Sequence, residues 1–151
     1  MPEKETIERA REDKREGKSP STQAGEFVRE EMEHIREGKH GARSAKQAIA
    51  IGLSKARRAG VKLPPPKKGT TSRRTRKQAK RELARAQRNG SRKKTSAKRS
   101  RAAERRLKRE PRSAASHRAL SRQAHAAARR RSKADRSRAA KKAAKTRKRN
   151  R

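Results

Sequence analysis

The 151 residues carry 51 Lys+Arg against 15 Asp+Glu, a formal net charge of +36, and only 26% of them are apolar. So large a positive excess draws polyanions and opposes compaction, and so little apolar surface excludes one large globular core. The absence of cysteine excludes disulfides and thiolate metal sites, and no apolar run approaches the ~20 residues that a bilayer span needs.

The opening "MPEKETIERAREDKREGK" has no apolar h-region, so a soluble intracellular chain is expected, cytoplasmic and without a membrane partner. Residues 1–38 hold 8 basic and 11 acidic side chains, residues 39–69 hold 9 and none, and residues 70–151 hold 34 and 4. Pro64, Pro65 and Pro66 mark the break, because helices rarely cross such a run. After them the only apolar side chains larger than alanine are Leu83, Leu107 and Leu120. The pattern predicts an all-α chain: a small N-terminal helical hairpin or three-helix module, then a largely disordered or conditionally helical polybasic tail. The expected divisions are a module over 1–63, a linker over 64–72 and a tail over 73–151 that does not pack on the module.

A first helix is expected over about 3–16, with Pro2 at its start and Gly17 after it. It is nearly all charged, and its Glu5–Arg9 pair helps by only about 0.2–0.5 kcal/mol. A second, over about 20–37, has Ser19 as N-cap, Pro20 at the first helical position and Gly38 after its end. Ala24, Phe27, Val28 and Ile35 share one face, with Met32 at its edge. Glu31 interrupts that face, which calls either for a basic partner or for a half-buried stripe.

A third helix is expected over 45–59. Ser44 and Gln47 fit the S-x-x-Q capping box, and Gly60 stands where a left-handed residue ends a helix. Ala45, Ile49, Gly52, Leu53 and Ala56 make a narrow stripe suited to close approach, while Gln47, Ser54 and Arg58 face away. Phe27, Val28, Ile35, Ile49 and Leu53 are the expected hairpin contact. A helix-turn-helix reading would put Lys46, Gln47, Lys55 and Arg57 in a major groove. Against it, the "GKHGAR" connection exceeds the 3–4-residue turn of that motif, and the first two helices are acidic.

"SPSTQAGEFVREEMEHIREGKHG" and "SAKQAIAIGLSKARRAGVKLPPPKKG" together resemble an uncharacterised family of small bacterial proteins that carry a domain of unknown function. The resemblance covers about residues 1–69. It implies a bacterial setting and supplies no activity, fold or ligand residues. Members of that family commonly end in short basic segments, so the long tail here is a departure.

The tail is built from Arg, Lys, Ala and Ser, and "SKADRSRAAKKAAKTRKRNR" resembles the Lys/Ala-rich tails of linker histones and of bacterial histone-like proteins. Helix propensity is high, repulsion at i,i+4 opposes it, and phosphates would relieve that repulsion. Helical pieces are expected over 73–88, 97–110 and 113–146, the second capped by Ser96 and stopped by Pro111. Phosphate-binding candidates are Arg73, Arg74, Arg76, Lys77, Lys80 and Arg81 in the first piece. Arg92, Lys93 and Lys94 follow, then Arg105 and Arg106, then Arg129, Arg130 and Arg131, and finally Lys141 and Lys142. Lys55, Arg57 and Arg58 at the end of the third helix make a secondary basic patch.

Sequence-tolerant binding of single strands uses stacked aromatics, and Phe27 is the one aromatic residue, so phosphate contacts on duplex DNA are favoured, with RNA next. The expected function is non-specific nucleic-acid binding of a histone-like or nucleoid-associated kind. The alternatives are an RNA- or ribosome-associated basic protein, or an adaptor in plasmid maintenance or stress whose module self-associates or docks a protein. No nucleotide-binding, zincin or hydrolase motif occurs, so no enzyme activity and no cofactor are expected. His34 and His40 lie near Glu30 and Glu37 but lack a third fixed ligand, so no metal site is assigned from sequence.

Overall fold

A computed structural model describes residues 2–87 and 96–149. Among them are seven helices and no strand: α1 (Lys4–Arg15), α2 (Pro20–Arg36), α3 (Ala45–Arg58), α4 (Arg73–Gln87), α5 (Ala97–Arg109), a 3-10 turn (Arg112–Ala115), α6 (His117–Arg129) and α7 (Lys133–Arg149). The all-α expectation holds, and in the tail, expected to be largely disordered or conditionally helical, helix covers most of the described residues. Ala, Arg, Lys and Gln prefer helix strongly enough to outweigh local charge repulsion there.

α2 and α3 begin and end much as their caps dictate. Ser19 Oγ accepts the Thr22 N–H, and Ser44 Oγ accepts the Gln47 N–H at 3.2 Å. Gln47 reaches back one residue further than a standard box, accepting from the Arg43 N–H. At the far end of α3, Gly60 has φ +97° and the Val61 N–H bonds to the Ala56 carbonyl, closing the helix.

The core lies between α1, α2 and α3, with Ala10, Ala24, Phe27, Ala56, Val61 and Leu63 in one cluster. Of the five expected hairpin residues, Phe27 and Ile35 are fully buried, whereas Val28, Ile49 and Leu53 are half-buried. Ala45, Gly52 and Ala56 of the expected stripe, joined by Ala48, take the centre of the α3 face. The reason is the closeness of the crossing: a Cβ on Gly52 would lie 2.7 Å from Val28 Cα and 3.0 Å from the Phe27 carbonyl oxygen. Only small residues fit at that line, so the branched side chains flank it.

Contacts between elements continue past the prolines. A compact unit spans Met1–Ser116, and His117–Arg151 form a second. α4 packs on α3, burying Ala79 and Glu82 and half-burying Leu83 and Ala86. A stripe that thin suffices because Ala79 admits close approach and Glu82 finds polar partners on α3. Ser54, expected to face away, donates to Glu82 Oε1 at 2.6 Å.

The end of α5 is also tied to the module. The Gly41 N–H bonds to the Leu107 carbonyl and the Ala42 N–H to the Pro111 carbonyl. A Cβ on Gly41 would collide with the Glu110 carbonyl, so this close pass requires glycine. Ala114 and Ala115 are buried in the 3-10 turn, which packs on α2 and α3, and Arg36 Nε donates to the Ala115 carbonyl.

In the second unit the expected helix over 113–146 is interrupted at 130–132. Ser132 Oγ accepts the Asp135 N–H and donates to Asp135 Oδ2, which starts α7 afresh. A local serine cap competes with continuation of the preceding helix. The first tail helix, expected to reach residue 88, has that residue outside the described range.

Candidate nucleic-acid interface

The charges divide into an inward set and an outward set. The inward set centres on α2, where Glu30 and Glu31 stand adjacent with side chains 1% exposed. Lys55 on α3 reaches both, with Nζ 3.0 Å from Glu30 Oε1 and 2.8 Å from Glu31 Oε2. Glu31 therefore has the basic partner that its place in an apolar stripe demanded. Burial works to lower the Lys55 ammonium, but its bonds and charge interactions with Glu31 and Glu30 prevail and hold it above its ordinary value. Burial likewise works to raise Glu30, and the Lys55 bond, the Glu3 N–H and Thr6 together hold it below.

Arg57 is drawn inward as well. Its side chain is 8% exposed, Nη1 lies 4.0 Å from Glu82 Oε2, and burial pushes the guanidinium below its ordinary value against the pull of Glu82. Of the expected patch of Lys55, Arg57 and Arg58, Arg58 alone is exposed. The helix-turn-helix reading loses two of its four residues for the same reason, because side chains neutralising buried carboxylates are not presented to a groove.

The two histidines belong to this inner cluster. His34 Nε2 lies 2.8 Å from Glu3 Oε1, and His40 Nε2 lies 3.3 Å from Glu31 Oε1. The neighbours expected from sequence, Glu30 and Glu37, are engaged by Lys55 and Lys39 instead. The third group beside the histidines is Glu31, and ligand atoms of Glu31, His34 and His40 all lie within 4.8 Å of one another. The one sequence signal for it was a carboxylate lodged in an apolar stripe.

The outward set is basic nearly throughout. On α4, Arg73, Arg74, Lys77, Lys80 and Arg81 are exposed on the side away from Ala79 and Glu82, with Arg76 half-buried at the margin. Arg105 and Arg106 are exposed on α5. In the second unit Arg129 ends α6, Arg130 and Arg131 follow it, and Lys141 and Lys142 lie midway along α7, all exposed. Arg92, Lys93 and Lys94 lie outside the described residues.

Three of the four acids of this region, all but Glu110, are occupied. Glu82 faces α3, Glu104 is held low by its bond to Lys108, and Asp135 is bonded to Arg138 and Ser132. Neither α6 nor α7 has a buried residue. At 1.5 Å per residue the 17-residue α7 runs about 25 Å, over which duplex DNA presents roughly 15 phosphate charges.

The class so defined is a small all-helical module extended by exposed basic helices. Residues 11–68 match the model of a family of unknown function (DUF6496), from within α1 to the segment after the prolines. The match takes in Glu31, His34, His40 and Lys55, and leaves α4 to α7 outside. No curated protein and no solved structure matches the chain. No helix among the described residues is long and apolar enough to cross a membrane.

Proposed function

We propose that this chain is a non-specific nucleic-acid-binding protein, of a histone-like or nucleoid-associated kind, that holds duplex DNA through phosphate contacts from its basic helices. The observation that carries this reading is the second unit: residues 117–149 hold 14 exposed basic side chains and one acid, and that acid is already paired. Uncompensated charge of one sign along exposed helices is costly until counter-charge arrives, and a polyphosphate supplies it while releasing condensed cations. Phosphates would also relieve the repulsion between like charges at i,i+4 along α7.

The exposed residues of α4 and α5 extend the same surface chemistry within the first unit. Phosphate contacts carry no base information, so affinity is expected to be nearly indifferent to sequence. The test is fluorescence anisotropy of the full chain on two unrelated duplexes across a salt series, with structured RNA as competitor. For about ten neutralised phosphates, log affinity falls against log salt with a slope near −9. Replacing Arg129, Arg130 and Arg131 by Gln should weaken both duplexes alike and flatten the slope by about 3. A shallow slope, or a strong preference for one duplex, would refute the proposal. Stronger competition by RNA at fixed salt would move it from DNA to RNA.

A further inference from the structure

The geometry points to a second, separate activity: Glu31, His34 and His40 bind one divalent transition-metal ion, of the Zn2+ type, where the end of α2 meets the loop leading to α3. The loop turns at Gly38, whose φ is +80°, and so returns His40 toward the helix it has just left. Glu31 and His34 are three residues apart on α2 and share a face. Their ligand atoms and that of His40 all lie within 4.8 Å of one another. Bonds of ~2.0–2.2 Å place tetrahedral zinc ligands ~3.3 Å apart, so modest side-chain movement completes the site. The His40 Nε2 to Glu31 Oε1 distance is already 3.3 Å.

The hydrogen bonding around that gap is incomplete. His40 Nδ1 is 3.1 Å from the Gly41 carbonyl oxygen, which can only accept, so Nδ1 carries a proton. In the neutral ring Nε2 then offers a lone pair, and it faces a carboxylate oxygen. Glu31 Oε1 is fully buried and accepts no directed hydrogen bond. Two acceptors facing each other need a cation between them, either a second imidazole proton or a metal ion. A carbonyl holding the far nitrogen of a histidine is also the usual way that a metal-ligating ring is oriented.

Charge points the same way. Glu30 and Glu31 are both 1% exposed and share the single ammonium of Lys55, which leaves one negative charge in excess. Lys55 engages Glu31 Oε2 and leaves Oε1 to the histidine side. Two imidazoles and one carboxylate suit zinc and its neighbours, whereas calcium and magnesium demand more oxygen ligands. Glu3, 2.8 Å from His34 Nε2, borders the site with another carboxylate.

The experiment titrates the metal-stripped full chain with Zn2+ by calorimetry, and with Co2+ followed by its visible spectrum. One equivalent is expected to bind with release of protons, and Co2+ should give a tetrahedral spectrum. In imidazole NMR spectra of the unaltered chain, His34 and His40 should move in slow exchange while His117 and His125 stay in place. His40→Gln and Glu31→Gln should each weaken binding at least ~tenfold, the loss that even an outer-shell change typically produces. His117→Gln and His125→Gln should leave it unchanged. Absence of a stoichiometric heat, or equal and weak shifts of all four histidines, would overturn the site and assign the gap to an imidazolium proton.

Discussion

Lys55→Met is the most informative single change, because it removes the ammonium and keeps most of the side-chain volume. Lys55 is 15% exposed and its two partners are 1% exposed, so the variant leaves Glu30 and Glu31 buried without their shared ammonium. Removing one partner of a buried ion pair costs about 3–5 kcal/mol. That is a large part of the ~5–15 kcal/mol that keeps an ordinary domain folded. The wild-type cluster is stable over a wide range. Lys55 titrates above 10.5, so its contribution is complete below that pH and lost as pH rises through the higher folded value. Glu30 titrates below 4.5, so its contribution is complete above that pH and lost as pH falls through the lower folded value. In Lys55→Met the burial that the Lys55 bond offset is left to raise Glu30, and acid neutralises it. Urea unfolding followed by circular dichroism at several pH values should therefore show a deficit that is greatest near neutrality and shrinks toward pH 4.5. An unchanged midpoint near neutrality would refute the buried pairing. A deficit that grows with acid would refute the assignment of the cost to unpaired carboxylates.

Gly52→Ala separates local preference from packing: helix propensity favours alanine by about 1 kcal/mol, whereas the contact with Val28 makes the change destabilising by ~1–3 kcal/mol, read from the unfolding midpoint. Ile35→Ala should cost ~2–5 kcal/mol by the same assay, and a cost near zero would contradict its complete burial. A chain ending at residue 69 should be less stable than the full chain, and its amide spectra should differ at Gly41, Ala42, Ser54 and Arg57, since it lacks Leu107, Pro111 and Glu82. Spectra that overlay would restore an independent module. Glu82→Ala should destabilise the full chain by ~1–3 kcal/mol by leaving the buried Arg57 without its carboxylate, with the loss measured in urea.

Local signals fixed most of the helix boundaries. Ser19 with Pro20, Ser44 with Gln47, and the glycines at 38 and 60 act within a turn of the residues they govern, so reading them needs no knowledge of the rest of the chain. The same holds for the exposed basic residues of α4 to α7, whose exposure follows from composition. Tertiary structure decided which of several chemically similar residues turn inward. Lys55 and Arg57 look like Arg58 in sequence, and only the positions of Glu30, Glu31 and Glu82 on other helices bury them. Ile49 and Leu53 yielded the centre of the α3 face to Ala48 and Gly52, because that choice depends on how near α2 comes. Gly41 in its loop carried no mark of the Glu110 carbonyl nearly seventy residues away. His34, His40 and Glu31 became a three-ligand group only when the turn at Gly38 folded the loop back on α2. Caps and compositions act over one turn of chain, whereas pairing partners and close approaches are set by contacts between distant segments, which no local pattern encodes.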